Sequence, residues 1–272
     1  IEIASGDVTI DLMGFRLSAG IAGTLDGITM SGNFNNITIR NGTVTGFGGN
    51  GVKLFASTAT GGLIEGVHTS ANGLAGIMSG LSMIVRDCSA VGNLGPGFNL
   101  LSDSLAIHCS ANGNGSTGFV SGAPGASVIE CAARSNAGDG IEVGTGGVAE
   151  RCLSMQNTGD GIQCTFNCIV RDNSCWSNGL SAGDGAGIHA LFSDNRIEGN
   201  NCTSADRGID VDAAGNIIIK NTCAGNTIDW VIVANNVFGP IIDRRAPASA
   251  AVSGFSAASS LGSTDANANF SY

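Results

Sequence analysis

MIVRDCSAVGNLGPGF (83–98), VAERCLSMQNTGDGI (148–162) and IIIKNTCAGNTIDWV (217–231) are variants of one repeated unit. The unit combines a short apolar stretch, a charged or polar pair, a cysteine or asparagine, and a second stretch of small residues. Eight units share a glycine followed by an apolar residue: Gly51-Val52, Gly76-Ile77, Gly97-Phe98, Gly118-Phe119, Gly140-Ile141, Gly161-Ile162, Gly187-Ile188 and Gly208-Ile209. These pairs are 25, 21, 21, 22, 21, 26 and 21 residues apart, so the period is 21 to 22 with two insertions. Such a period predicts one solenoid domain rather than two globular domains.

Two further columns keep the same register. Asparagines precede the apolar anchor by five residues at Asn72, Asn93, Asn114, Asn136 and Asn157. Five residues earlier again stand Asn41, Val67, Cys88, Cys109, Cys131, Cys152, Asn173, Asn200 and Asn221. A unit this short, with glycine and asparagine at its corners, leaves no room for an ordinary helix. We therefore expect an all-β fold of nine to ten stacked coils, each with three short strands that pair in parallel about 4.8 Å from the next coil.

The chain resembles the right-handed parallel β-helix proteins of the pectate-lyase-like superfamily, in particular uncharacterised secreted bacterial members. The resemblance rests on IVRDN (169–173), RIEGNN (196–201) and NTGDGI (157–162), and it covers residues 1–242. We expect an irregular first coil or cap over 1–36, and a tail over 243–272 that packs back on the solenoid through Phe255, Phe270 or their surroundings. The cap and the tail are expected because the ends of a solenoid expose unpaired strand edges that need covering. The resemblance also implies an inward asparagine ladder formed by Asn41, Asn173, Asn200 and Asn221. A secreted or cell-envelope location follows from the same resemblance.

Composition and charge narrow the classes of function. The chain has 272 residues, among them 43 glycines and 25 asparagines, and 43% are hydrophobic, which argues against both a helical bundle and a disordered chain. Its formal charge is −10 and its only lysines are Lys53 and Lys220, so no basic stripe exists for nucleic acid. The sequence contains no run of about 18 apolar residues, so it predicts no membrane-spanning helix.

The nine cysteines include no CxxC motif. Seven of them lie in the repeat columns, where a cysteine is most simply a small buried hydrophobe, so we expect a cysteine ladder in the middle coils. Cys164 and Cys168 are the only two close in sequence, and they are candidates for one disulfide if the chain is secreted.

Charged residues near the cysteine and asparagine column alternate in sign from coil to coil. The series includes Glu65 and Arg86, Glu150 and Arg171, and also His108. Opposite charges on adjacent strands are each worth about 0.2–1 kcal/mol. We interpret these residues, His108 included, as ladders that fix the register rather than as a site.

The strand after each Gly-apolar corner carries a different pattern. Its first outward positions are Lys53, Met78, Asn99, Val120, Glu142, Gln163, His189, Asp210 and Ile232. Glu142, Gln163, His189 and Asp210 make four consecutive coils polar. Close to them in the predicted register are Asp139, Asp160, Asp184 in the insertion 179–186, Arg207 and Asp212. This is the densest polar cluster in the sequence.

In the resembled superfamily this sheet is the usual location of polysaccharide clefts, so the resemblance implies a polysaccharide partner that is bound or cleaved here, with a polyuronide as one possible class. Asp139 and Asp160 occupy one column on adjacent coils, so the two like charges should raise the pKa of one of them, and glycosidic cleavage requires such an acid and base. We assign catalytic roles to Asp139, Asp160, His189 and Asp210. Substrate binding is assigned to Glu142, Gln163, Asp184, Arg207 and Asp212, where Arg207 suits a uronate carboxylate.

Several alternatives stay open. If the chain is an enzyme, it is a polysaccharide lyase or a glycoside hydrolase, although each characterised relative brings a motif that is missing here. The aspartates of Gly-Asp-Gly segments also serve as turn residues. A non-catalytic extracellular or envelope solenoid for structure or adhesion is the alternative function. No cofactor is required, and a calcium ion held by Asp184, Asp206, Asp210 and Asp212 is a further possibility, since oxygen ligands suit that cation.

Overall fold

The computed structural model describes residues 1–20, 23–55, 60–179, 185–243 and 265–272 as strands, turns and irregular segments. It is a right-handed parallel β-helix of about ten turns, as the repeat predicts. Because the described residues contain no helix at all, none of them belongs to a helix that is long and apolar enough to cross a membrane.

One sheet, here called sheet A, consists of the strands that follow the Gly-apolar corners. All neighbours in it pair in parallel, in the order of the chain. Its eleven strands are Glu2–Ile3, Ile28–Met30, Val52–Lys53, Ile77–Met78, Phe98–Asn99, Phe119–Ser121, Ile141–Val143, Ile162–Cys164, Ala186–Ala190, Arg207–Val211 and Ile228–Ile232.

The other two sides of each coil are called face B and face C, and two long strands, Ile37–Thr45 and Gly62–Ser70, run through both. Face B otherwise contains Thr9–Asp11, Ile84–Arg86, Leu105–Ile107, Ser127–Ile129, Val148–Glu150, Ile169–Arg171, Arg196–Glu198, Ile217–Ile219 and Val237–Phe238. Face C otherwise contains Arg16–Ser18, Ser89–Val91, Ser110–Asn112, Ala132–Arg134, Leu153–Met155, Ser174–Trp176, Asn201–Thr203, Thr222–Ala224, Ile241–Asp243 and Asn269–Ser271.

The first and last parts of the described chain also pair with the stack. Glu2–Ile3 pairs with Ile28–Met30 on sheet A. Near the carboxyl end, Asn269–Ser271 lies between Thr222–Ala224 and Ile241–Asp243 on face C. Phe255 lies outside the described residues.

Inward side chains from the three sides form one continuous core. Sheet A contributes large residues such as Ile141 and Ile162, whereas face C contributes small ones such as Ala111 and Ala133, and all of these are buried. Phe98 and Phe119 stack on adjacent coils with ring centroids 4.6 Å apart. Identical or similar side chains therefore meet along the helix axis, because the register repeats with every coil.

Two asparagine columns form buried ladders. In the first ladder, Nδ2 of each asparagine donates to Oδ1 of the asparagine one coil later. Its members are Asn72, Asn93, Asn114, Asn136, Asn157 and Asn178. The other ladder runs through Asn173, Asn200, Asn221 and Asn269. Cys88, Cys109, Cys131 and Cys152 continue this second column toward the amino terminus, and the Cys152 amide donates to Asn173 Oδ1. The ladder prediction is thus confirmed for Asn173, Asn200 and Asn221.

Asn41 is a correction to the predicted ladder. Its side chain is exposed and donates to Asp11, and its backbone has a φ of 58°. The pairing of Gly42 with Val67 places Gly42 in the ladder column and moves Asn41 to the corner before it. Asn tolerates the left-handed conformation well, so the same residue type satisfies either position.

All nine cysteines are buried free thiols, so Cys164 and Cys168 form no disulfide in this structure. Cys175, Cys202 and Cys223 pair with one another in register along face C. Burial raises the pKa of Cys152 to about 12, which keeps this thiol protonated and apolar in character.

The predicted charge ladders are also confirmed. Arg86 pairs with Glu65 at 2.6 Å, and Arg171 pairs with Glu150 at 2.6 Å. His108 Nε2 lies 2.6 Å from Glu130, which in turn accepts a hydrogen bond from Arg151. These pairs join neighbouring coils at the outer corner between face B and face C.

Candidate functional site

The four polar outward positions of sheet A lie side by side. Glu142 pairs with Gln163, Gln163 with His189, and His189 with Asp210. The next position in this column is Val231, one residue before the position expected from the sequence spacing. Beneath the polar column, inward isoleucines fill the core and hold the strands in place: Ile141, Ile162, Ile188 and Ile209.

Asp139 and Asp160 stand in the corner that leads into sheet A, and each caps the coil above it. Asp139 Oδ1 accepts the Asp160 amide at 2.7 Å, and Asp160 Oδ1 accepts the Ala186 amide at 2.7 Å. The close approach depends on Gly159, where an added Cβ would lie 2.1 Å from Asp139 Oδ1. In each aspartate, one carboxylate oxygen therefore accepts a backbone amide of the next coil, and the other oxygen is available for different contacts.

The environment of Asp139 favours its protonated form. Burial raises its pKa from 3.8 to about 6, and the charge of Asp160 acts in the same direction, ahead of a smaller contribution from Glu142. The hydrogen bond from the Asp160 amide opposes the shift without cancelling it. Asp139 can therefore hold or release a proton in mildly acidic solution, which is the property of a general acid.

His189 lies between two carboxylates. Its Nδ1 is 2.9 Å from Asp160 Oδ2 and its Nε2 is 3.0 Å from Asp212 Oδ2. Burial alone lowers the pKa of His189, but the hydrogen bonds and charges of Asp160, Asp212 and Asp210 outweigh it and raise the pKa to about 9. At neutral pH both ring nitrogens therefore donate, and His189 is an imidazolium.

Asp210 is completely buried at the floor of the site. Arg207 donates a hydrogen bond to its Oδ2, and the same oxygen is 4.0 Å from His189 Nε2. Asp210 Oδ1 has no hydrogen-bond partner within the described part of the chain. Arg207, whose side chain is 30% exposed, is thus held by a buried charge while part of it faces solvent.

Glu142 and Gln163 border this group of residues. Thr117 Oγ1 donates to Glu142 Oε1 at 2.9 Å, and Gln163 Nε2 donates to Asp160 Oδ2 at 3.4 Å. Sequence reasoning missed Thr117. It stands directly before a Gly-Phe corner, in the column that contains Asp139 and Asp160, so its position in the repeat was the available signal.

The structure brings together most of the predicted site residues. Asp160, Gln163, His189 and Asp212 are joined by hydrogen bonds. Asp210 lies 4.0 Å from His189, and Arg207 donates to Asp210. Asp139 and Glu142 adjoin this group on the preceding coil. Asp184 lies outside the described residues.

The residues present fit a calcium ion poorly. Of the described aspartates, Asp210 and Asp212 group with His189, and their ligand atoms lie within 4.8 Å of one another. Calcium takes 6–8 oxygen ligands, but this group offers two carboxylates and one imidazole. The His189 imidazolium and Arg207 already supply positive charge at this position, so no step of the chemistry below uses a metal ion.

Comparisons with known proteins bear on the fold. No family model matches the chain, and no curated protein matches it. Among solved structures, the A-module of mannuronan C-5 epimerase AlgE4 from Azotobacter vinelandii is similar with a TM-score of 0.65 and 19% identity, over 88% of this chain and 78% of that one. The Dettilon tailspike protein is similar with a TM-score of 0.61 and 10% identity, over 90% of this chain and 56% of that one. Pectate lyase Pel9A is similar with a TM-score of 0.51 and 15% identity, over 84% of this chain and 63% of that one. The chain shares with these proteins the right-handed parallel β-helix fold.

Proposed function

We propose that this chain acts on a polysaccharide at the polar surface of sheet A and cleaves its glycosidic bonds. The observation that carries the proposal is the pair Asp139 and Asp160 on adjacent coils, with the pKa of Asp139 raised to about 6. Glycosidic cleavage needs one carboxylic acid that protonates the leaving oxygen and one carboxylate that acts as base or nucleophile. A location outside the cell or in the cell envelope, where polysaccharides are accessible, is part of the proposal.

The geometry suggests a role for each residue. Asp139 gives its proton to the glycosidic oxygen. The carboxylate of Asp160, which faces the His189 imidazolium, acts as the base or the nucleophile. His189 orients Asp160 and stabilises its negative charge, while Gln163 donates to the same oxygen. Asp210 has no exposed surface, so it is a positioning residue that acts through Arg207 and His189 rather than by touching the substrate.

The charge of the site bears on the class of polysaccharide. Five carboxyl side chains, those of Asp139, Glu142, Asp160, Asp210 and Asp212, face only two cationic groups, those of His189 and Arg207. Such an acidic surface repels a polyanion, whereas carboxylates are good acceptors for sugar hydroxyl groups. A neutral polysaccharide is therefore the favoured substrate, and a polyuronide requires its carboxylate to reach the exposed part of Arg207.

Product release from a panel of neutral glycans and polyuronides tests the proposal. Reducing ends report hydrolysis, and ultraviolet absorbance of a new conjugated double bond reports lyase chemistry. Asp139→Asn retains an oxygen that accepts the Asp160 amide but loses the acid, so kcat should fall about 100-fold or more. Wild-type activity should also decline above pH 6, as Asp139 loses its proton.

A matched control is Asp87→Asn, because the Asp87 side chain is 55% exposed in a charge ladder far from this site. It should keep wild-type activity. An Asp139→Asn variant with unchanged kcat on a cleaved substrate would remove Asp139 from the proposed mechanism.

The second candidate is a non-catalytic binding or adhesion solenoid. It is favoured by the backbone caps that Asp139 and Asp160 provide, since a purely structural role also explains these two aspartates. In that case polysaccharides bind to the wild type without product release. Asp139→Ala then lowers the melting temperature, and neither protein shows enzymatic activity.

A further inference from the structure

A groove outside the acidic cluster lies on the amino-terminal half of sheet A. Its volume is about 430 Å³, and its main lining residues are Lys53, Phe55, Leu74, Met78, Pro96 and Asn99. Phe55 is 49% exposed and Leu74 is 54% exposed, so both present large apolar surfaces to solvent.

The lining of the groove is amphipathic. Phe55, Leu74 and Met78 supply apolar surface, while Lys53 and Asn99 supply polar groups in the same outward column as Met78. The Lys53 ammonium group is only 3.7 Å from Asp26, and 37% of the side chain is exposed. A sugar ring has the matching character, because its C–H face is apolar and its hydroxyl groups need hydrogen-bond partners.

The groove and the candidate cleavage centre lie along the same column of outward positions on sheet A. Asn99, Val120, Glu142 and Gln163 pair in register, so Asn99 is three coil steps from Gln163 and Lys53 is five steps from it. At about 4.8 Å per step, these distances are roughly 14 and 24 Å. A linear polymer that lies along the helix axis can therefore contact the groove and the acidic cluster at once.

We propose that this groove is a distal carbohydrate subsite that takes one uncharged monosaccharide ring of the polymer cleaved at Asp139 and Asp160. The ring lies against Phe55, Leu74 and Met78, and its hydroxyl groups reach Lys53 and Asn99. The identity of the polymer rests on the proposed function, but the groove itself is assigned from its own lining. Its contribution is to affinity for long chains, not to the chemical step.

The test compares wild type with Phe55→Ala/Leu74→Ala. Leu94→Ala is the matched control, because Leu94 is another exposed leucine in the neighbouring corner and does not line the groove. The probes are a soluble linear glucan, a mannan and polygalacturonate, used in affinity electrophoresis, together with a trisaccharide of each. Loss of apolar contacts worth about 1.4 kcal/mol weakens polymer binding about tenfold, and a trisaccharide that places a ring in the groove should lose affinity by a similar factor.

The outcomes separate this inference from the proposed function. Polymer retardation that is lost in the double variant and kept in Leu94→Ala supports the groove, even if no product is ever released and the cleavage proposal fails. Equal retardation of all three proteins overturns the groove, and cleavage is then judged from Asp139→Asn alone. If no polymer retards the wild type, the groove is overturned as well. Melting temperatures confirm that both variants are folded.

Discussion

At the scale of single residues, His189 is the most constrained side chain of the candidate site. Both of its ring nitrogens face carboxylates, Asp160 on one side and Asp212 on the other, and the buried Asp210 lies 4.0 Å away. A neutral imidazole donates only one hydrogen bond, so it would leave one of these carboxylates facing a lone pair. The native state therefore favours the imidazolium.

This preference predicts a pH dependence of stability. The unfolded value of the His189 pKa is 6.5 and the native value is about 9. Between these values the native protein holds a proton that the unfolded chain releases, so the free energy of unfolding falls as pH rises through this window. The stabilisation is fully present below pH 6.5 and amounts to about 3 kcal/mol.

Urea unfolding across that window measures the effect. His189→Gln should be less stable than wild type at pH 6.5 and should lose much less stability toward pH 9. His108→Gln is the control, because its side chain is 54% exposed on a charge ladder, and it should follow the wild-type profile. Parallel profiles for wild type and His189→Gln would mean that His189 does not gain its proton on folding.

The pair Arg207 and Asp210 gives a second prediction at this scale. Arg207→Met leaves the fully buried Asp210 carboxylate without its hydrogen-bonded cation, with only His189 at 4.0 Å, which should cost about 3 kcal/mol in the free energy of unfolding. Arg207→Met/Asp210→Asn should recover much of that loss, because the buried group is then neutral. Arg86→Met, in an exposed pair with Glu65, should cost less than about 1 kcal/mol. An Arg207→Met variant as stable as Arg86→Met would contradict the assignment.

Individual site residues were only partly predictable from the sequence. The repeat register placed Glu142, Gln163, His189 and Asp210 in one column because the period is regular. The contact from Asp139 to the Asp160 amide was not predictable, because a Gly-Asp-Gly segment suits an aspartate that caps its own turn just as well. Thr117 was missed because a neutral residue does not stand out in a search for carboxylates.

At the scale of the structural element, the asparagine ladders hold the corners together. Asn114 Oδ1 accepts both the Asn93 amide and Asn93 Nδ2, while its own Nδ2 donates to Ala90 O and Asn136 Oδ1. Every polar atom of this buried side chain is used. The ladder thus satisfies backbone groups at corners where the sheets cannot do so.

Asn114→Ala should therefore destabilise the protein strongly. It leaves buried donors of Asn93 without acceptors, and each such group costs about 1–3 kcal/mol. A total loss of about 3 kcal/mol or more is expected in equilibrium denaturation. Asn112→Ala is the control, because Asn112 is exposed on the adjacent strand and should change stability by less than about 0.5 kcal/mol. Similar losses in both variants would refute a ladder-specific role.

The elements also explain where sequence reasoning succeeded and where it slipped by one residue. Strands were predictable because each apolar anchor recurs at one period. Asn41 was misplaced because the charged corner residues and the inward ladder residues are neighbours, and asparagine is favourable at both. Distinguishing them requires the side-chain direction, which alternates with each residue.

At the scale of the whole molecule, the ladders and the acidic cluster occupy different sides of the solenoid. The cysteine and asparagine columns and the charge ladders lie along faces B and C and their corners, where they fix the stacking. Sheet A carries the acidic cluster and the apolar groove on one outward column. A stack whose register is maintained elsewhere can vary the exposed outward side chains of sheet A, such as Lys53, without loosening the stack.

The same architecture makes the last coils vulnerable at their open edges. Asn269–Ser271 pairs with Thr222–Ala224 and Ile241–Asp243, and Asn269 Oδ1 accepts the Asn221 amide at the end of the ladder. Trp230 Nε1 donates to Ser271 Oγ at 2.8 Å, which connects this strand to sheet A. Removing residues 265–272 would expose parallel strand edges, which are templates for pairing with another chain.

We therefore predict that deletion of 265–272 lowers the melting temperature and makes the protein self-associate with increasing concentration, as measured by light scattering. Asn269→Ala should lower the melting temperature in the same direction without comparable self-association, because the strand still pairs while the ladder loses its final acceptor. Tyr272→Ser is the control, since it keeps the backbone amide that donates to Cys223 O and changes an exposed side chain. A truncated chain that remains monomeric at all concentrations, with an unchanged melting temperature, would show that this strand does not protect the edge.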